Sequence, residues 1–271
     1  MTETKPTSPV EDSRPRSKHS PLVRLSLNLL RKVNRAVNEF GLIAEGDRVL
    51  AAVSGGKDSL SLLHLLTMQE RFFPTKFEIG AIHVVSDYNT HTAETKDYCA
   101  EIFRSYGVPF DFTDITVTVD EQGNECAPSC FLCAWKRREA LFRYCVEHGF
   151  NRLAFGHHFD DVAETTLMNL AFHGTLETML PRRAFFDGKF DVIRPLFFLR
   201  ERETARLAKM AGFRTEVCSC PNADTGMRLY MKDLVRGLAR ESKFLHFNIW
   251  RAAKEWHDAF ADRPLHKGEV L

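Results

Sequence analysis

A short apolar run, Arg48-Val49-Leu50-Ala51-Ala52-Val53, leads directly into Ser54-Gly55-Gly56-Lys57-Asp58-Ser59, after which Leu60, Leu62, Leu63, Leu65 and Leu66 recur at helical spacing. The first segment suits a buried parallel strand and the last a helix packed on it. Asp58 or Ser59 stands where a cap for that helix is expected. Strand, small-residue turn and helix together aim free backbone N–H groups and a positive dipole end at an anion. Two glycines admit a phosphate to the main chain, Ser54 and Ser59 add hydroxyl donors, and Lys57 adds a charge. The loop is not of the Walker A type: Ala51 occupies the place of the first glycine, and Asp58 follows the lysine where Ser or Thr belongs. The dinucleotide pattern Gly-x-Gly-x-x-Gly is absent as well. A carboxylate beside a polyphosphate makes sense mainly as a magnesium partner, the role expected of Asp58.

Strands alternate with helices along the rest of the chain. A helix is expected over 21–40, then strands over 48–53, 77–85, 110–119 and 151–155. Helices are expected over 91–106, 134–148, 157–170, 201–210, 228–240 and 244–260. Asp187-Gly188 centres a β-hairpin over 184–193, and 213–218 suits a last short strand. Such alternation implies an α/β fold with a parallel sheet covered on both faces, which binds ligands beyond the carboxyl ends of its strands. No apolar run spans a membrane and the first twenty residues lack an apolar leader core, so a cytoplasmic protein without membrane contact is expected. The net charge of +1 gives no global nucleic-acid signature. Basic residues nevertheless cluster at Arg31-Lys32-Arg35, Lys136-Arg137-Arg138, Arg182-Arg183 and Lys232-Arg236-Arg240, either as solvated faces or as one patch in the fold.

In a reducing compartment the seven cysteines are thiols or metal ligands rather than disulfides. Cys130-x-x-Cys133 has metal-ligand spacing; its position after a long polar loop, 121–129, argues against a redox pair. Cys218 and Cys220 are candidates to complete the site, either as a structural zinc or as a three-cysteine iron–sulfur cluster. Arg137 and Arg138 would stabilise such thiolates as anions. Cys99 and Cys145 fall within amphipathic helices as small hydrophobes, and Cys126 is a spare ligand or a loop thiol. Gly156-His157-His158-Phe159-Asp160-Asp161 opens another helix. There Gly156 allows close approach of a nucleotide, while Asp161 serves magnesium or proton transfer, unless Asp160 or Asp161 merely caps the helix.

Ser-Gly-Gly-Lys-Asp-Ser resembles the PP-loop signature of the ATP pyrophosphatase superfamily, which splits ATP between its α- and β-phosphates. With Cys-x-x-Cys followed by Arg-Arg, Gly-His-His-x-Asp-Asp and a late cysteine, the chain resembles the tRNA thiolation enzymes over about 46–233, most nearly the tRNA 2-thiocytidine synthetases. The resemblance implies a Rossmann-like, adenine nucleotide alpha hydrolase-like domain over 46–222, carrying the Cys-x-x-Cys loop and the hairpin. A disordered tail over 1–20, an N-terminal helix over 21–45 and a helical region over 223–271 would flank it. It implies that ATP and magnesium adenylate a pyrimidine C2 oxygen, cytidine 32 of the anticodon loop in the nearest branch, and that sulfur then replaces AMP. A [4Fe–4S] cluster on Cys130, Cys133 and Cys220 would leave one iron open for the sulfur. Val53, Ser54, Gly55, Gly56, Lys57, Asp58, Ser59, Gly156 and Asp161 would bind the nucleotide; Lys57, Asp58, Arg137 and Asp161 would serve catalysis. Implied partners are tRNA and a sulfur donor such as a cysteine desulfurase system; a homodimer is one arrangement open to it. Cys218-x-Cys220-Pro221-Asn222 departs from the Cys-x-x-Cys-Gly-Ser-Gln usual in the cytidine branch, so thiouridine formation stays open, as does a PP-loop ligase with structural zinc. A nucleotide-binding regulator is the reading outside enzymes.

Overall fold

The computed structural model describes residues 20–88, 92–119, 129–214 and 227–260. In order they form α1 (Pro21–Phe40), β1 (Arg48–Ala52), α2 (Lys57–Phe72), β2 (Glu78–Ser86), α3 (Thr92–Tyr106), β3 (Phe110–Ile115) and α4 (Cys130–His148). Then follow β4 (Arg152–Ala154), α5 (Phe159–His173), β5 (Arg182–Phe185), β6 (Phe190–Ile193), α6 (Glu201–Ala211), α7 (Met227–Glu241) and α8 (Leu245–Phe260). The expected tail over 1–20 lies outside the described residues except for Ser20, whose side chain caps α1 by accepting from Val23 N–H. The expected strand over 213–218 lies outside them beyond Arg214, and so do Cys126, Cys218 and Cys220.

The sheet order is β3-β2-β1-β4-β6-β5, parallel except for β5, which pairs antiparallel with β6 as the expected hairpin. Alternate strand residues face opposite sides. Val49, Ala51, Ala81, Ala154 and Ile193 enter the larger core with α1, α2, α3 and α6. Leu50, Ile82, Leu153 and Val192 meet Leu141, Phe142 and Cys145 of α4 on the other side. Helix α2 is buried nearly all round, polar residues included, because it lies between the sheet and α1 and α6. His64 survives there between Ser26 Oγ and Tyr106 Oη, each 2.7 Å away, and burial holds its pKa at about 4, so the ring is neutral. The C-terminal Trp250 packs on Phe197, with 4.8 Å between ring centroids, and so joins the same core as α1.

Three elements differ from the sequence expectation. The third strand stops at Ile115, after which Val117 and Thr118 N–H groups bond to the Asp87 carboxylate instead of a neighbouring strand. Helix α2 is capped by Gly56, not by Asp58 or Ser59, which lie inside its first turn. Helix α4 begins at Cys130 rather than Ala134, because the Ser129 side chain accepts from Leu132 N–H and draws the cysteine pair into the first turn.

Candidate active site

The strand order turns back between β1 and β4, and the loops leaving those two strands open side by side at the carboxyl edge of the sheet. The loop after β1 is held by its own serines: Ser54 N–H donates to Ser59 Oγ at 3.1 Å, and Ser59 Oγ donates to Gly56 O at 2.9 Å. Gly55 has φ +85°, a left-handed conformation that lets the chain turn back into α2. The first N–H groups of α2 have no intrahelical acceptor and face the hollow above the loop. Gly156, in the loop after β4, lies against the same turn; a Cβ there would sit 2.9 Å from the backbone C and O of Asp58.

Two side chains from outside the phosphate loop, Glu201 and Thr204, organise its charges. Lys57 Nζ lies 2.7 Å from Asp58 Oδ2 and 3.2 Å from Glu201 Oε1. Burial works to lower the lysine pKa, but Asp58 and Glu201 outweigh it and raise the pKa, so Lys57 is charged. Burial also works against ionisation of Glu201, yet Lys232 and Lys57 bring its pKa down to about 2, and Arg236 adds a third contact at 3.2 Å. The Thr204 hydroxyl donates to Asp58 Oδ1 and fixes that carboxylate. Asp160 is a structural hub: Arg200, Glu201 N–H and His246 all bond to it. Burial would raise its pKa, but those bonds hold it far below the usual carboxylate range. Asp161 closes a capping box with His158 and still presents an oxygen 3.5 Å from Arg228. The same carboxylate thus caps α5 and keeps one oxygen turned toward a cation of α7.

Arg137 and Arg138 lie beyond the first turn of α4 rather than at its start, so repulsion from the dipole end gives no reason to expect an anion near them. A different observation does. The Nε of Arg137, the Nε of Arg194 and Nδ1 of His157 are buried without a hydrogen-bond partner. Each of the two buried arginine donors left unpaired costs about 1–3 kcal/mol, which a bound anion would recover. Burial brings His157 to about 4, with the Arg194 charge acting the same way. Cys133 packs against Ile115, Val117 and Ala140 at the carboxyl end of β3, one helical turn from Arg137. Cys130 and Cys133 both fall in the first turn of α4, a sequence spacing that suits paired thiolate ligands of a metal group. Asp58 and Asp161, hard oxygen donors at one edge, fit a magnesium ion. A concavity of about 470 Å³ between His64, Tyr106, Gly80 and Phe150 lies at the opposite, amino edge and has no part in this arrangement.

A PP-loop domain profile matches residues 25–219, more than half of the chain. The tRNA-cytidine(32) 2-sulfurtransferase of Geobacter sulfurreducens is 38% identical over 81% of this chain and 86% of its own length. The chain belongs to the tRNA-cytidine(32) 2-sulfurtransferase family of PP-loop enzymes. The relative of the same name from Xanthomonas euvesicatoria is 34% identical over 95% of this chain and 86% of its own. Among solved structures, the U34-tRNA thiolase NcsA of Methanococcus maripaludis, with its [4Fe–4S] cluster, superimposes with a TM-score of 0.72. It covers 86% of this chain and 79% of its own at 24% identity, which makes the fold the same.

Against the family pattern, the fold brings Val53, Ser54–Ser59, Gly156 and Asp161 to one edge with Arg137 and Cys133. Glu201, Thr204 and Arg194 were not among the residues singled out in the sequence. The available signal was an acidic residue opening a helix directly after β6, a strand that ends at this edge.

Glu164, one turn along α5 from Asp161, is 6% exposed, and burial pushes its pKa from 4.5 up to about 7, with the Asp161 charge adding to the rise. A carboxyl with a raised folded-state pKa stabilises fully below its unfolded value and loses that contribution as pH rises through the folded one. Glu164→Gln is expected to change stability little near about pH 5 and to raise it by about 2–3 kcal/mol near about pH 8. Denaturant midpoints at both pH values check this; equal effects at the two would refute it.

Proposed function

We infer that the protein is an ATP-dependent tRNA sulfurtransferase that converts cytidine 32 of the anticodon loop to 2-thiocytidine, as its relatives' names describe for them. The observation that carries this reading is the meeting, at one sheet edge, of a phosphate loop, two carboxylates and a cysteine-headed helix. The loop N–H groups, Ser54, Ser59 and Lys57 hold the ATP phosphates, and Asp58 and Asp161 hold magnesium. The cytidine C2 oxygen attacks the α-phosphorus, forming a new P–O bond as pyrophosphate leaves. A sulfide, released from the donor's persulfide with two electrons from a thiol, then bonds to C2, and AMP departs with the former C2 oxygen and the bonding electron pair. Glu201 and Thr204 orient Lys57 and Asp58 from outside the loop, and Asp160 holds α6 and α8 against it. A [4Fe–4S] cluster held by Cys130, Cys133 and Cys220 would supply the site at which sulfur is presented. The sulfur itself comes from a donor such as a cysteine desulfurase system.

Protein purified without oxygen should be brown. With ATP, magnesium, sulfide and unmodified tRNA it should produce tRNA in which nucleoside mass spectrometry finds 2-thiocytidine. A colourless, zinc-loaded protein that leaves cytidine unchanged would overturn this reading in favour of a PP-loop ligase.

A further inference from the structure

We propose that Arg138, Arg183 and Arg194 form a subsite that grips an RNA phosphodiester beside the base being thiolated, a proposal that rests on the tRNA reading above. Six of the clustered basic residues, Lys136 with Glu139 among them, have an ion-pair partner among the described residues, and Arg31 and Arg240 without one are exposed on α1 and α7. Lys32 is paired with Glu203, Arg35 with Glu39, Arg182 with Asp191, and Lys232 and Arg236 with Glu201. Arg138, Arg183 and Arg194 have no ion-pair partner among the described residues, and Arg194 buries an unsatisfied Nε.

Topology places these three together. Arg183 pairs with Val192, which faces α4, so Arg183 faces α4 as well. Two residues along β5, Phe185 touches Phe142 of α4 with 4.7 Å between ring centroids. From that contact, one helical turn back along α4 reaches Arg138, and two strand residues back along β5 reach Arg183, about 6 Å in the same direction in each case. Arg194 directly follows β6 at this edge; its N–H donates to Pro181 O at 2.9 Å, and its guanidinium donates to Leu180 O. The charges of Arg183 and Arg138 both bear on Arg194, whose pKa burial already lowers. Uncompensated positive charge with a buried open donor calls for an anion of fixed position. Two aromatic side chains on the adjoining turns of α4, Phe131 at 53% and Trp135 at 42% exposure, identify the kind of anion. Arginines beside exposed rings suit a single-stranded RNA loop, whose phosphates are paired while its unstacked bases lie on aromatic faces.

The test is tRNA binding by the full-length protein with Arg138→Gln and Arg183→Gln combined, measured across a salt series. Each lost phosphate contact removes about 0.7–0.9 from the slope of log affinity against log salt. The expected slope is therefore shallower by about 1–2, with affinity at least about tenfold weaker at low salt. ATP affinity measured without RNA should stay within about twofold of wild type, because the ATP phosphates lie on the other loop. Arg183→Lys, which keeps the charge, should recover most of the slope, and the single exposed Arg138→Gln carries the test if the double variant does not fold. Unchanged tRNA affinity and slope would overturn the subsite and leave the sulfurtransferase reading intact. A fall in ATP affinity with RNA binding unchanged would assign these arginines to the nucleotide. A wild-type protein that binds no tRNA would instead bring down the functional reading and the subsite with it.

Discussion

Asp58→Ala is expected to cut ATP turnover by about a thousandfold or more while leaving the fold intact, the scale of losing a preorganised electrostatic group at a reacting phosphate. The side chain is 28% exposed and contributes nothing to the core, so its loss leaves no cavity. What disappears is a carboxylate held ready by two neighbours, the Thr204 hydroxyl and the Lys57 ammonium. Lys57 would then pair with Glu201 alone and be drawn away from the phosphates. Thr204→Val should give a smaller loss of about tenfold, since it frees the carboxylate to move without removing it. Pyrophosphate release and a thermal melt on the same samples check both; wild-type turnover by the Asp58 variant would remove the phosphate-loop assignment itself.

The phosphate loop was legible in the sequence because its chemistry is local. Strand, two glycines, lysine, aspartate and helix are contiguous, and apart from the cap, which falls on Gly56, the local preferences agree with the geometry observed. The cysteine helix was legible in kind but misplaced at its start, because the cap depends on Ser129, one polar residue at the end of a polar loop. Thr204 and Arg194 could not be found by pattern. Thr204 acts through contacts 143 and 146 residues away in sequence, with Ser61 and Asp58, and Arg194 through the pairing of β5 with β6, which only the fold creates. The basic clusters show the same limit: Arg182 and Arg183 are adjacent in sequence, yet strand alternation sends one to Asp191 and leaves the other facing α4.

Gly156→Ala is expected to cost both stability and ATP binding, and the combination separates this glycine from the others. A Cβ at this position would lie 2.9 Å from the carbonyl carbon and oxygen of Asp58 and 3.0 Å from Ser59 N, all of them backbone atoms that cannot rotate aside. Relief therefore requires the loop after β4 to move away from the loop after β1, opening the cleft at the point where the strand order reverses. Forcing atoms into a packed contact costs about 1–3 kcal/mol, and a shift of about 1 Å in the phosphate loop is enough to weaken ATP binding or turnover by about a hundredfold. Gly80→Ala is the matched control. Its Cβ would meet the Phe150 ring at 2.7 Å, a comparable clash but against a side chain at the amino edge. It should lower the melting temperature without changing the KM for ATP. If Gly156→Ala lost stability alone, as Gly80→Ala does, the contact between the two loops would be packing only, and Gly156 would have no part in shaping the nucleotide site.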